Sequence, residues 1–443
     1  MYIAAMNFVM KLRQRVQRDG LMSGFFGAAL KMSAVRALII GLSFVGSVAL
    51  TRSVGPEGRG LIAWFVAASS IAMMFAQCGV EILNRRYTAE NPEMAGGLTV
   101  LTLQACLLGT LLTTPFFLYF ALSNGIGQKN IPMMIVANIS VFFMAVAPCL
   151  NSVQLGLNNI KDYMWGTALQ KLGNVVMVLA LIGGGIISPM NGLVALMLSY
   201  MLQVILALYS LRKEIRQRKP GALAFVLRKK GYMFNTYMRN ILLMSAAAIV
   251  PLLLGLQHSL SSAGWFAACM IIIDSINKTF GMISTYALPQ IAGAKNHKER
   301  EALKRNVQLV SFWGMLVIAV VWIAIAGFVI PLLLGKEFAL AVNTFRILCV
   351  YMVFSSLADA NQAIVMAGTE KGLIMVPPVV MLGSVVITAW LLIPTYGANG
   401  GAIALVAGSF ATMAVSWLCA RAVRVGAPLQ QEVEPETPDQ VAN

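Results

Sequence analysis

Charge is what this sequence has least of. Lys, Arg, Asp and Glu make up 11% of its 443 residues, against about a quarter in soluble globular chains. So few charges cannot cover a water-facing surface, which excludes a soluble enzyme or carrier. Acidic residues are scarcest, 17 against 33 Lys and Arg, for a net charge of +16. Histidine occurs only at His258 and His297, in different loops on opposite sides, so no metal site forms from them. The six cysteines (Cys78, Cys106, Cys149, Cys269, Cys349 and Cys419) form no CxxC and fall in apolar runs, which predicts buried free thiols. No P-loop, GxSxG or glycine-rich dinucleotide fingerprint occurs. ATP hydrolysis, other enzymatic chemistry and a resident cofactor are therefore not expected. Long polar stretches are missing as well, which leaves no room for a soluble catalytic domain.

What is present is apolar. Residues A, V, I, L, M, F, W, Y and C make up 58% of the chain, and mean hydropathy is +0.77. Runs of about 20 apolar residues, enough to cross about 30 Å of hydrocarbon, recur along nearly the whole chain. Strands would leave backbone groups unpaired in lipid, and no two-residue alternation marks a barrel. The runs predict twelve helices, near 33–52, 61–82, 97–121, 132–156, 164–186, 191–211, 233–256, 263–290, 309–334, 341–367, 372–393 and 400–420. The breaks carry turn chemistry, as in "SVGPEGRG", "NPEMAGG", "SNGIGQKN" and "PTYGANGG".

With these spans, 24 of the 33 Lys and Arg fall on one side and 4 (Arg52, Arg59, Lys129, Lys336) on the other. The positive-inside rule puts both termini in the cytoplasm. It also accounts for the basic balance without nucleic acid, which is not expected as a partner. Residues 1–32 read as a basic amphipathic segment on the anionic inner leaflet. Two lobes, 33–211 and 233–424, follow around a basic linker at 212–232. An acidic tail at 425–443 reads as disordered.

The halves echo each other. "AVRALII" at 34–40 lies over "YMRNILL" at 237–243, and "AWFVAAS" at 63–69 over "GWFAACM" at 264–270. Gly192 falls on Gly401 and Gly156 on Gly368. Six spans per half is even, so both halves insert the same way up and face each other across a cavity that opens to either side.

"TRSVGPEGRGLIAWFVAASSIAMMFAQCGVEILNRRYTAE" (51–90), "VMAGTEKGL" (365–373) and "LIPTYGANGGAIALVAG" (392–408) resemble the bacterial polysaccharide flippases of the multidrug/oligosaccharidyl-lipid/polysaccharide exporter superfamily. The resemblance implies an all-α polytopic membrane fold of about 12 transmembrane helices, in two pseudo-symmetric six-helix lobes forming a V-shaped cavity. It implies translocation of a polyprenyl-pyrophosphate-linked oligosaccharide from the inner to the outer leaflet of the cytoplasmic membrane. Membrane lipids are then partners, as are the polymerase and glycosyltransferases of the same polysaccharide. A multidrug cation antiporter of the same superfamily is the alternative; it would favour an acidic, aromatic pocket. The lipid II flippases usually have fourteen spans, and a non-transporting scaffold is a further rival.

Charges inside spans cost at least about 2.5–3.5 kcal/mol on insertion scales and usually face a wet interior. Here they are Arg36, Lys171, Arg239, Lys278 and Arg346 against Glu81, Asp274 and Asp359. Arg36 and Arg239 either snorkel to the headgroups or ring the cytoplasmic mouth and grip pyrophosphate with Lys171 and Lys278. Asp274 and Lys278 lie four apart on one helix face. They form either a neutral structural pair or an ion-coupled switch in which Asp274 takes up a proton or sodium ion. Glu81 and Asp359 read as ion-coupling or gate residues, and Arg346 as an outer anchor.

Overall fold

The computed structural model describes residues 20–123, 125–219, 230–293, 297–366 and 374–422. Most of the expected N-terminal segment, half of the 212–232 linker and the acidic tail lie outside them. Among the described residues there is no strand, and eleven helical stretches are long and apolar enough to cross a membrane. The first, α1 (Gly20–Gln77), contains two crossings, because Gly55 breaks it at φ 70°, ψ −180°. Leu50 before the break and Ile62 after it both reach the Cβ position of Gly192, so the two arms, 20–54 and 56–77, run back along each other. Twelve crossings result. The expected loop "SVGPEGRG" is thus a one-residue kink. Pro56 begins the second arm, where its missing N–H costs nothing and its fixed φ suits a helix start.

The second arm ends where Cys78 (φ 48°) and Gly79 (φ 74°) turn left-handed. A separate helix, α2 (Val80–Glu90), follows. This corrects two sequence expectations. Cys78 is exposed rather than buried, whereas the other five cysteines are buried. Glu81 lies in the first turn of α2, outside the crossing helix. The N-terminal lobe continues with α3 (Ala95–Ser123), α4 (Ile131–Gly156), α5 (Ile160–Gly183) and α6 (Pro189–Ser210). The C-terminal lobe is α7 (Lys230–Gln257), α8 (Leu260–Gly293), α9 (His297–Leu334), α10 (Ala341–Met366), α11 (Val376–Tyr396) and α12 (Ala398–Ala422). The stretch between the expected spans 263–290 and 309–334 is thereby mostly helix, since α8 runs to Gly293 and α9 starts at His297.

The lobes repeat one another in space. The first arm packs on α5 as α7 packs on α11, α4 on α6 as α10 on α12, and α3 on α4 as α9 on α10. Gly192 of α6 admits Leu50 and Ile62, while Gly401 of α12 admits Val250 and Leu254 of α7. Phe65 and Phe266, paired by the sequence repeat, are both fully buried. Each lobe has its own core, one around Trp64, Val141 and Leu150, the other around Phe266, Phe345 and Leu405. Polar seams join helices inside each lobe. Asn84 Nδ2 donates to Thr102 (2.7 Å) and the Cys149 carbonyl (3.1 Å), and Gln308 Nε2 to Asn361 (2.7 Å). Small and polar residues are the usual glue between helices in lipid, where apolar burial gives no driving force. Large apolar side chains such as Leu112, Tyr119, Phe328, Ile387 and Trp390 stand exposed on the outside, as a lipid-facing wall requires.

Candidate functional site

The lobes meet along a seam formed by both arms of α1 with α7 and α8. Each lobe's first helix also packs on the other's core: Phe44 and Val48 of the first arm on the C-terminal core, Ala248 and Leu252 of α7 on the N-terminal one. At the Gly55 end the seam is shut by backbone. A Cβ on Gly60 would meet the Leu260 carbonyl, one on Gly264 would meet the Pro56 carbonyl, and Gly255 lies under the Trp64 indole. Only glycine lets two helices approach so closely. Burial then falls along α8, from fully buried Ala263, Ala268 and Cys269 to half-buried Asp274 and exposed Lys278. On the first arm, buried Leu50 and Thr51 give way to Gly41, whose Cβ position is open space. The seam therefore widens toward the basic end, as a V. One cross-lobe tie persists there: Tyr237 Oη donates to the Met74 carbonyl at 2.9 Å and lies 3.4 Å from that of Phe75. The Met74 carbonyl lies in the last turn of the second arm, where carbonyls lack intrahelical partners; that of Phe75 also accepts from the Cys78 N–H at 3.3 Å.

The sequence-predicted cations divide by position. Arg239 turns inward: Nη2 donates to Gln362 Oε1 of α10 at 3.0 Å, and the guanidinium lies within electrostatic reach of Asp359. Asp359 is exposed, and Tyr351, two turns earlier on α10, lies within electrostatic reach of both Asp359 and Asp274. Arg239, Asp274, Asp359 and Tyr351, on α7, α8 and α10, thus share one electrostatic neighbourhood. Lys278 Nζ stands 4.0 Å from Asp274 Oδ2, with side chains 67% and 49% exposed; at that separation and exposure the pair adds little stability.

Lys171 is apart from this cluster. The lipid face of α5 carries Trp165, Leu169, Leu172 and Val176, all exposed. Lys171 leaves from the opposite side, 5.8 Å over the Tyr200 ring of α6 and one turn before Val175, which touches Gly46 of the first arm. Arg36 lies on the first arm, but its side chain is outside the described part of the structure. Arg346 is exposed near the Gly55 end, as an anchor would be. Glu81 is half-buried; burial pushes its carboxyl above the usual range, with Arg85 opposing. No group of three or more His, Cys, Asp or Glu able to hold a metal ion occurs among the described residues.

Sequence reasoning missed Tyr237, Gln362 and Tyr351, neutral residues with no motif of their own. It also misplaced Arg59, which lies within the second arm rather than in a loop.

Comparison with known proteins follows the same lines. Residues 31–263, just over half of the chain, match the family model for polysaccharide biosynthesis proteins. No curated protein matches the chain. Among solved structures, it is similar to a multidrug resistance MATE family transporter of the MOP superfamily in an inward-facing conformation. That match has 16% identity and a TM-score of 0.65, over 87% of this chain and 94% of that one. It is similar also to the lipid II flippase MurJ in an inward closed conformation, at 13% identity and a TM-score of 0.67, over 88% and 87%. The eukaryotic MATE transporter AtDTX14 gives 12% identity and 0.59, over 88% and 96%. At these identities the likeness is one of fold. By the match over 31–263, this multi-pass membrane protein belongs to the polysaccharide biosynthesis protein family.

Proposed function

We propose that the chain is a flippase that carries a polyprenyl-pyrophosphate-linked oligosaccharide across the bacterial cytoplasmic membrane by alternating access, for surface or extracellular polysaccharide synthesis. The observation that carries this reading is the seam, shut by glycine contacts at one end and widening toward the end where basic residues collect. A headgroup with its sugars would enter that space, while the polyprenyl tail stays in lipid between the lobes. Arg239, Lys171 and Lys278, with Arg36 from the first arm, would bind the pyrophosphate. No bond is made or broken, so the chain is not an enzyme. By the charge bias, the basic end and both termini face the cytoplasm of the inner membrane. The polymerase and glycosyltransferases of the same polysaccharide would be its partners.

Asp274, Asp359 and Tyr351 add a second component: two carboxylates next to the seam can bind a proton or a sodium ion. Charge uptake at one lobe biases a two-state equilibrium in proportion to its differential binding. Transport that runs equally with and without proton and sodium gradients would remove this coupling from the account.

The same acidic cluster, with the MATE-like fold, favours the rival multidrug cation antiporter. A cell lacking its own flippase for a surface polysaccharide separates the two. Expression of this chain is expected to restore polymer export and leave sensitivity to organic cations unchanged. Raised resistance to such cations with no restored polymer would replace the flippase by the antiporter.

A further inference from the structure

Arg59 sits one residue before Gly60, and so beside the tightest contact between the lobes. Its neighbours fix its direction. Gly58 and Ile62 face the N-terminal lobe, against Pro189 and Gly192, while Gly60 and Trp64 face α8 and α7. Glu57 and Leu61 line an outer pocket with Lys129 and Asn130. At 3.6 residues per turn, Arg59 leaves from the remaining side, opposite that pocket, between the first arm and α8.

There its Nε is buried without a hydrogen-bond partner. Among the described residues no carboxylate pairs with the guanidinium. On the other lobe Trp265, next to Gly264, also holds a buried indole N–H with no acceptor. Each lobe therefore carries, one residue from a contact glycine, an enclosed N–H donor without a hydrogen-bond partner. Arg59 as a whole is half-buried; an enclosed guanidinium N–H without an acceptor is costly, and the best geometric complement of a guanidinium is a pair of phosphate oxygens.

We propose that Arg59, with Trp265 Nε1 across the contact, is a phosphate-binding subsite at the closed end of the interlobe space. It receives the pyrophosphate of the cargo after the basic end has captured it. The orphaned donors make the empty closed state less stable than the occupied one, so the subsite favours loaded over unloaded protein. The assignment of a pyrophosphate cargo rests on the flippase reading; the anion subsite itself does not.

The test titrates the full chain in lipid nanodiscs with inorganic pyrophosphate at physiological salt, read by calorimetry and by thermal unfolding. Arg59→Leu is expected to weaken pyrophosphate binding at least about tenfold and to raise Tm without ligand, because the unpaired charge is gone. Arg59→Lys keeps part of the affinity. An arginine with a merely structural role would give a lower unliganded Tm in Arg59→Leu. That result, equal affinity in wild type and Arg59→Leu, or no binding by wild type, overturns the proposal. Translocation of a polyprenyl-pyrophosphate oligosaccharide in vesicles separates it from the broader reading. Wild type that binds pyrophosphate through Arg59 but moves no such lipid keeps the subsite and loses the flippase. Wild type that moves it, with Arg59→Leu moving it equally fast, keeps the flippase and loses the subsite.

Discussion

Replacing Arg36, Lys171, Arg239 and Lys278 together by glutamine is expected to reduce polymer export below about 1% of wild type while the protein still reaches the membrane. Hydrogen bonds to charged groups contribute about 1.5–3 kcal/mol each, and about 1.4 kcal/mol is tenfold in affinity, so even two lost phosphate contacts suffice. The single variants should rank. Arg239→Gln costs most, because its guanidinium is already half-buried and oriented by Gln362, so little ordering remains to be done when phosphate arrives. Lys171→Gln follows, since Lys171 projects from the inner face of α5 over Tyr200. Lys278→Gln costs least, with a solvated side chain loosely paired to Asp274. Polymer export by each variant, normalised to its membrane level, checks the order. Normal export by the quadruple variant removes these cations from the mechanism.

Gly264→Val is expected to hold the protein open at the Gly55 end. The Pro56 carbonyl occupies the place a side chain would need, and it is backbone, so it cannot rotate away. Overpacking costs about 1–3 kcal/mol, equivalent to a shift of about 5–150-fold between two conformations. Ala267 is buried on α8 in the same seam. In a Cys78→Ala background, a cysteine at Ala267 should react slowly with an impermeant thiol reagent, and at least about tenfold faster once Gly264→Val is added. Translocation should fall in parallel, because one of its two states is lost. Gly264→Ala is the milder version if valine impairs folding. Unchanged labelling in a folded variant would mean that the glycine contact does not hold that end shut.

How far the sequence carried is clear from particular residues. Apolar length located the twelve crossings, because lipid imposes it directly. The Gly192–Gly401 and Trp64–Trp265 correspondences were legible because close packing demands the same small or large residue in each lobe. "SVGPEGRG" misled, since its composition is that of a turn while only Gly55 leaves the helical region. Reading it as a loop hid both the Gly60–Gly264 contact and the enclosed Nε of Arg59. Cys78 and Glu81 were misplaced because a two-residue left-handed break in an apolar run has no periodicity to announce it. Of the candidate site, the charged residues were visible one by one. Their grouping was not: Arg239 and Gln362 are 123 residues apart in sequence, and only the tertiary fold brings the Arg239 side chain of α7 to Gln362 and Asp359 of α10.

The central claim is that an anionic, sugar-bearing lipid passes through the interlobe space. Its most direct measurement is the transfer of a polyprenyl-pyrophosphate-linked oligosaccharide between the leaflets of proteoliposomes, read by access of a lectin or glycosidase added outside. Purified wild type is predicted to move the lipid, and the quadruple glutamine variant to leave it where it started. Wild type that leaves the lipid in place, or a quadruple variant that moves it at the wild-type rate, would contradict the account.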